Sequence, residues 1–375
     1  MASLLRAVGL PASLPFLEII LPVGISFYIF RAISYLVDVY KGKLAAEKSW
    51  LDFFIYLAFF PYLLAGPIAR ASDFLSQLKN GGAKQIDNLG ECFTLIFFGL
   101  FKKLVLSSFL VLNLTDDIFM VPQNHSALGI FLAILAYTLV IYFDFSGYSD
   151  LAIGFAGLLG FRLPLNFSFP YLASSVKEFW RRWHISLSTW IKDYIYIPLG
   201  GNRKGAVRKH FNLIIAMTLA GLWHGAAWTF VLWGLWHGIG SSLNHLWLDL
   251  KGQKTILLSN KLLAVTKRFF SWLITFVFVS MGWVLFRASS LENAHQMLAG
   301  LFNFSRPVEP IALLVVITTT LGFLFLFAEP ALYRGLTSWQ NKMPKALWLL
   351  LALILIIILF KLGPDTVPPF IYFSF

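Results

Sequence analysis

The run FNLIIAMTLAGLWHGAAWTFVLWGLW, residues 211–236, decides the fold class of this chain. It exceeds the roughly 20 mostly apolar residues that a helix needs to cross a bilayer. His224 is its only ionisable side chain. The run therefore predicts a membrane-spanning helix. Because an ionisable group at membrane depth is costly and usually faces a cavity or a partner, His224 is the first candidate for a functional residue.

The composition of the whole chain also indicates a membrane protein. Hydrophobic residues make up 58% of it and charged residues 13%, whereas soluble domains carry about 25% charged residues. We therefore expect an all-α fold: a polytopic integral membrane helix bundle that forms a single domain over 1–375. Eight or nine membrane helices are expected, and the predicted spans are about 14–37, 51–69, 92–113, 127–146, 211–236, 269–286, 311–328 and 346–362.

The net charge of +12 lies mainly in short segments between the apolar runs. Basic residues at such positions contact anionic lipid and set the topology, so the lipid bilayer is the expected partner and nucleic acid is disfavoured. Cys92 is the single cysteine, which excludes an intrachain disulfide and a cysteine metal cluster. The seven histidines are scattered without an HExxH pattern. No metal site and no permanently bound cofactor are predicted.

Two stretches differ from ordinary spans. In YFDFSGYSD (142–150), Asp144 and Asp150 flank a Ser-Gly-Tyr sequence that predicts a break in the helix. The stretch KEFWRRWHISLSTWIKDYIYIPLGG (177–201) is rich in aromatic residues but carries six ionisable residues of both signs besides Lys177. A lipid-exposed helix cannot hold so many charges. This stretch is expected to lie in the interface or to re-enter the membrane within protein, where polar groups are paired.

The spacing of charged residues in 177–201 leaves two interpretations open. Glu178 precedes Arg181 and Arg182 by three and four residues, a helical spacing that permits an ion pair anchoring the segment. Alternatively, an arginine binds an anionic donor such as a cofactor phosphate, for which the planar guanidinium is suited. His184 follows Arg181 by three residues and would share its helical face. Asp193, nine residues further on, would point nearly opposite and is not expected to orient His184.

The two histidines of the 211–238 region are not expected to form one site. His224 and His237 are thirteen residues apart and would point about 140° apart on an unbroken helix. A buried structural role for His224, bonded to a backbone carbonyl, stays open. The small neighbours Gly221, Gly225 and Ala226 favour a functional role, because they let another helix or a substrate approach closely.

Three long motifs together resemble the membrane-bound O-acyltransferase family, most of all its bacterial branch that acetylates alginate. They are YFDFSGYSDLAIG (142–154), EFWRRWHISLSTWIKDYIYIPLGGNRKG (178–205) and GLWHGAAWTFVLWGLWHG (221–238). The resemblance implies a bundle with re-entrant helices around a central funnel, with a catalytic core at about 140–240. Family members usually carry further spans ahead of the segment that corresponds to 21–40, and this chain is expected to lack them.

The resemblance also implies residue roles. His224, in the Trp-His-Gly motif, is the expected catalytic residue, and His184 is the second polar position of the same site. The candidate substrate-binding or donor-binding residues around them are Arg181, Arg182, Asp193, Asp144 and Trp223. A positioned imidazole can take the proton of an attacking hydroxyl, typically a gain of about 10²–10⁴-fold.

The chemistry implied by the resemblance is acyl transfer. An acetyl group would move from a cytoplasmic thioester, acetyl-CoA or another acyl thioester, to the hydroxyl of an extracytoplasmic polysaccharide such as alginate. The expected location is the bacterial inner membrane, and a separate extracytoplasmic acetyl-transfer protein is the expected partner. Two alternatives without acyl chemistry remain: a polytopic transporter, which lacks the support of an inverted repeat, and a structural subunit of a polysaccharide-export complex.

Overall fold

The computed structural model describes residues 24–81, 89–251, 261–340, 342–364 and 366–371. Within them the chain is helical with no strand, and the all-α prediction is confirmed. The helices in chain order are α1 (Ile25–Tyr40), α2 (Trp50–Ala58), α3 (Phe60–Leu63), α4 (Ala71–Lys79), α5 (Leu89–Met120), α6 (Ala127–Leu158), α7 (Val176–Arg182), α8 (Ile185–Ile191), α9 (Gly205–His224), α10 (Trp228–Lys251), α11 (Lys261–Arg287), α12 (Leu291–Gly300), α13 (Leu313–Gln340) and α14 (Lys345–Leu362).

Four helices, α5, α6, α11 and α13, are long and apolar enough to cross a membrane. The chain is therefore an integral membrane protein, as its composition predicts. The apolar stretch of α14, Ala346–Lys361, is shorter. Among the described residues the four long helices are fewer than the eight or nine spans expected, in part because two predicted spans are broken. The span predicted at 14–37 begins outside the described residues.

The run 211–236 is one of the broken spans. Helix α9 ends at His224 and α10 begins at Trp228, so the prediction of a single helix is wrong. The two helices fold back on each other as a tight hairpin. A Cβ atom on Gly221 would lie 2.2 Å from the Phe230 carbonyl oxygen, and one on Gly234 would lie 2.5 Å from that of Met217. These glycines permit the close approach, and the break places His224 at the turn of the hairpin.

The predicted span 51–69 is also interrupted, and its physical cause is Pro61. Proline has no N–H to donate to the carbonyl four residues earlier, so the Leu57 carbonyl loses its helical partner. Helix α2 ends at Ala58, and a new helix, α3, begins at Phe60. The buried Arg31 guanidinium replaces the lost donor, with bonds to the carbonyl oxygens of Leu57 (2.9 Å) and Tyr62 (3.2 Å).

Helix α6 continues without interruption through residues 146–148, so the break predicted there is wrong. Gly147 instead lets α5 approach: a Cβ atom on it would lie 2.8 Å from the Gly99 carbonyl oxygen. The π-helical segment of α5, Phe101–Ser107, brings two consecutive lysines to the same neighbour. Lys103 pairs with Asp144 at 2.5 Å and Lys102 with Asp150 at 2.7 Å.

Lys102 also pairs with Glu329 of α13, whose carboxylate accepts a hydrogen bond from the Tyr142 hydroxyl at 2.8 Å. We call Lys102, Lys103, Asp144, Asp150 and Glu329 the lysine cluster. It ties α5, α6 and α13 together.

Candidate active site

The stretch 177–201 and the α9–α10 hairpin enclose a cavity of about 430 Å³. Both His184 and His224 line it, and we call it the histidine cavity. The His184 side chain is 1% exposed, whereas His224 is half-buried and accessible from the cavity. Helices α9 and α10 form one side, α7 and α8 another, and the end of α11 closes the bottom with Trp283 and Phe286. Two histidines that are 40 residues apart in sequence therefore meet in one space.

The backbone turn that carries His184 is held from several sides. His184 lies between α7 and α8 in the left-handed region, with φ 40° and ψ 57°, a conformation that costs a non-glycine residue on the order of 1 kcal/mol or more. Asn166 fixes the following turn: its carbonyl accepts from Ile185 N at 2.9 Å, and its side-chain oxygen accepts from Ser186 Oγ at 2.9 Å. Ser168 N donates to the Arg182 carbonyl at 2.9 Å.

Aromatic rings surround both imidazoles. The Trp223 ring lies 6.4 Å from that of His184 and 4.6 Å from that of His224. Phe145 of α6 meets His184 edge-on at 4.6 Å, and Phe286 meets His224 edge-on at 4.8 Å. These rings make the surroundings of the imidazoles apolar, and polar interactions are stronger in an apolar site than in solvent.

Several buried nitrogen atoms of the lining residues have no hydrogen-bond partner among the described residues. They are Nε2 of His184, Nε1 of Trp180 and Nε1 of Trp233. A buried polar atom without a partner costs roughly 1–3 kcal/mol, and native proteins keep few of them. A ligand with a carbonyl or hydroxyl oxygen can satisfy these groups, so the cavity is suited to a polar reacting group at its bottom.

The mouth of the histidine cavity is basic. Arg181 and Lys192 are exposed there, and Lys177 and Lys209 line the wall. Within the part of the chain that the structure describes, no residue lining this cavity is acidic. An anionic ligand is therefore favoured at the mouth, while the bottom is aromatic and uncharged apart from the two imidazoles. Such a gradient suits an extended ligand with a charged end and a neutral reactive end.

The remaining candidates from the sequence lie in different places. The Trp223 ring contacts both histidines. Arg181 lines the cavity. Helix α7 ends at Arg182, before His184, so the prediction that Arg181 and His184 share a helical face is wrong. Arg182 pairs with Glu178 at 2.7 Å instead, which confirms the predicted ion pair. Asp193 pairs with Arg70 at 2.8 Å and does not line the cavity.

Asp144 belongs to the lysine cluster and not to the lining of the histidine cavity. Glu178, which lies outside the spanning helices, has a lowered pKa. Burial by itself would raise the pKa of this carboxyl, but hydrogen bonds from Ser174 and the charge of Arg182 outweigh burial. Its ion pair with Arg182 therefore persists at neutral pH. No group of three or more potential metal ligands lies together within the described ranges.

Sequence reasoning missed Asn166, Trp233 and His245. Asn166 is one amide in the apolar segment 163–171 and carries no motif signal. Trp233 and His245 line the cavity only because α10 folds back on α9. The small residues around Gly225 are a sequence signal for this helical hairpin. They were not interpreted in this way because they lie in a continuous apolar run, which predicts a single helix.

A helical bundle with membrane-spanning helices, in which two histidines line one cavity under a basic mouth, is an integral membrane protein with a candidate site for an anionic ligand. The model of the membrane-bound O-acyltransferase family, MBOAT, matches residues 43–281. The match includes both histidines of the cavity and more than half of the chain. The chain therefore belongs to the membrane-bound O-acyltransferase family, and the resemblance drawn from its motifs is confirmed.

Named relatives are bacterial. The chain is 39% identical to the probable alginate O-acetylase AlgI of Pseudomonas putida, with 96% of this chain and 76% of the relative covered. It is 44% identical to the probable alginate O-acetylase AlgI of Pseudomonas aeruginosa (76% and 52% covered). It is 36% identical to the peptidoglycan O-acetyltransferase of Helicobacter pylori (77% and 58% covered). The chain thus spans between about half and three quarters of the length of these relatives.

Proposed function

We propose that this chain is an O-acetyltransferase that moves acetyl groups from a cytoplasmic thioester to a hydroxyl of an extracytoplasmic polysaccharide such as alginate. The observation that carries the proposal is the meeting of His184 and His224 in one cavity. Two relatives named alginate O-acetylase support the acceptor class. The location is the bacterial inner membrane, and residues 1–375 act as one domain with its catalytic core at about 140–240.

The proposed reaction needs a general base and a hydrogen-bond donor that polarises the thioester carbonyl. The acceptor hydroxyl oxygen attacks the thioester carbonyl carbon, its proton passes to the His224 imidazole, and the C–S bond breaks. The imidazolium then returns the proton to the departing thiolate. His184 lies beside the same space, where its Nε2 has no partner among the described residues. In this role it donates to the carbonyl oxygen as negative charge develops there, which is where a fixed donor contributes most.

The donor is an acyl thioester with an anionic end, such as acetyl-CoA. The basic mouth supports this choice, because Arg181 and Lys177 have no acidic partner among the described residues and phosphates pair well with arginine and lysine. The thioester end would then reach the aromatic bottom of the cavity. A separate extracytoplasmic acetyl-transfer protein is the proposed partner, which brings the polymer to this chain.

The test uses cells that make alginate and whose own O-acetylase gene has been deleted. Complementation with the wild-type chain restores acetyl ester on the polymer, and His224→Ala lowers the ester content at least about 100-fold, the usual minimum for a lost general base. His295, which is exposed on α12, supplies the control: His295→Ala retains wild-type acetylation. Both variants are quantified in the membrane fraction. Wild-type acetylation by His224→Ala would refute the proposed mechanism.

A further inference from the structure

A cavity of about 200 Å³ lies between helices α5, α13 and α14 and shares no lining residue with the histidine cavity. We call it the α13–α14 cavity. Its lining side chains are aliphatic or aromatic, except for that of Thr94. Two of its three helices, α5 and α13, are long and apolar enough to cross a membrane. The cavity therefore lies in the part of the protein that the bilayer surrounds.

The packing of the three helices leaves this space open. Helices α13 and α14 both pack on α5, but within the described residues they make few backbone contacts with each other. Trp348 and Ala352, one turn apart on α14, are 7% and 2% exposed and face the cavity. Phe93 and Phe97 line it from α5. The small side chain of Ala352 is one reason why the space between the diverging helices stays unfilled.

The polar groups beside the α13–α14 cavity have partners within the protein. The Thr94 hydroxyl is hydrogen-bonded to the Gln340 side-chain amide at 3.0 Å. Trp348 Nε1 donates to the Gly90 carbonyl oxygen at 3.4 Å. A buried water molecule needs about two to four polar partners, and the lining offers hardly any that are not already bonded. The cavity is therefore suited to an apolar occupant rather than to water.

The rim of the cavity indicates how it is oriented in the bilayer. Trp339, half of which is exposed, meets Trp348 edge-on at 5.8 Å, close to the connection between α13 and α14. Tryptophan is enriched at the membrane–water interface. The lining residue Leu355 is exposed and lies seven residues after Trp348 on α14, a distance of about 10 Å along the helix. The cavity thus runs from the interface into the hydrocarbon, in the direction of a lipid acyl chain.

The charge at the interfacial end of the cavity is positive. Lys342, in the connection between α13 and α14, is exposed and has no acidic partner among the described residues. Lys345, the first residue of α14, adds a second positive charge in the sequence, and residues 335–360 contain no acidic residue. Basic residues at the membrane surface attract anionic lipid headgroups. An apolar cavity below a basic end is complementary to an anionic phospholipid.

We propose that the α13–α14 cavity binds one acyl chain of an anionic phospholipid of the surrounding bilayer, with the headgroup beside Trp339 and Lys342. The acyl chain fills the space between the diverging helices and contacts all three of them. The bound lipid thereby holds α14 and the end of α13 against α5. This inference concerns a surface away from the histidines and is independent of the proposed acetyl transfer.

The test is native mass spectrometry of the full-length chain in detergent, titrated with a phosphatidylglycerol or with the phosphatidylcholine that has the same acyl chains. The wild type should bind one phosphatidylglycerol more tightly than phosphatidylcholine. Ala352→Phe fills the cavity and should raise the dissociation constant of phosphatidylglycerol at least about tenfold, the loss expected when two or more methylene groups are no longer buried. Leu353→Phe, at the next residue, which is exposed and does not line the cavity, is the control and should bind like the wild type.

Two further variants complete the test. Lys342→Ala should raise the dissociation constant of phosphatidylglycerol about threefold to fivefold and leave that of phosphatidylcholine unchanged, because one lysine near the surface attracts only the anionic headgroup. Leu336→Trp fills the cavity from α13 and should weaken binding as Ala352→Phe does. Thermal unfolding shows which variants are folded, so that Leu336→Trp decides the result if Ala352→Phe does not fold.

Several results would overturn the inference. One is equal phosphatidylglycerol binding by the folded cavity-filling variants and by Leu353→Phe, and another is a wild-type chain that binds no phosphatidylglycerol. Equal affinities of the wild type for the two lipids would overturn the assignment to an anionic phospholipid. A dimer that Ala352→Phe abolishes, with no lipid bound to the wild type, would identify a second copy of the chain as the occupant instead.

Discussion

The histidine cavity and the lysine cluster hold polar groups inside the same bundle in opposite ways. In the lysine cluster every charge has a partner of opposite sign: Lys102 contacts two carboxylates and Lys103 contacts one. In the histidine cavity Nε2 of His184 and Nε1 of Trp233 lack partners among the described residues. Paired charges stabilise a fixed arrangement of helices, whereas hydrogen-bond donors without a protein partner are available to bind a ligand. The comparison therefore separates structural burial from functional burial.

The lysine cluster should be the more sensitive region for folding. Lys102→Ala leaves Asp150 and Glu329 without their cation, and breaking a buried pair in this way costs about 3–5 kcal/mol. We expect a large fall in the thermal unfolding temperature of the detergent-purified chain and little recoverable protein. Lys361→Ala, at an exposed lysine of α14, is the control and should unfold like the wild type. Equal unfolding temperatures for the two variants would contradict a structural role of the cluster.

The hydrogen bonds of Asn166 beside His184 connect a structural role with a role in the candidate site. Asn166→Ala removes the acceptor of Ser186 Oγ and the donor to Ser149 Oγ, so we expect a loss of about 1–3 kcal/mol of stability for the buried groups left unpaired. The acetylation rate should fall by a larger factor than the fraction of folded protein does, because the turn that carries His184 relaxes. Unfolding and initial rate are measured at one temperature. Asn113→Ala, an exposed amide on α5, should change neither.

The smallest expected effect is that of substitutions at the mouth of the histidine cavity. Arg181→Ala removes a guanidinium that lines the cavity and has no ion-pair partner among the described residues. We expect the KM for acetyl-CoA to rise about threefold to tenfold with kcat unchanged, the signature of lost uniform binding. Arg182→Ala breaks the ion pair with Glu178 and should lower stability by only about 0.2–0.5 kcal/mol. The same rise in KM for both variants would show that Arg181 has no special contact with the donor.

Hydropathy was sufficient to predict the membrane class and the long helices α5, α6, α11 and α13, because each buries its backbone polar groups within one apolar segment. It could not predict the interruptions. A run of apolar letters does not reveal that Pro61 frees the Leu57 carbonyl for Arg31, or that the chain folds back after His224. At 146–148 the error was the reverse, because Gly147 permits close helix packing rather than a turn.

The histidines of the candidate site were predictable as residues, from the cost of an ionisable group in an apolar run and from motif resemblance. Their meeting was not predictable from spacing, because it depends on the hairpin of α9 and α10 and on the left-handed turn at His184. Ion pairs between residues that lie far apart in sequence could not be predicted either. Arg70 and Asp193, or Lys102 and Glu329, pair only after the helices have packed.

The central claim is that His184 and His224 act in one site, and a double-mutant cycle on acetyl transfer tests it most directly. His184→Ala, His224→Ala and the double variant are compared by initial rates with acetyl-CoA, in membranes with matched protein content. Residues that act as a unit are strongly non-additive. We predict that the double variant is no slower than the slower single variant. Losses that multiply across the two substitutions would contradict a shared site.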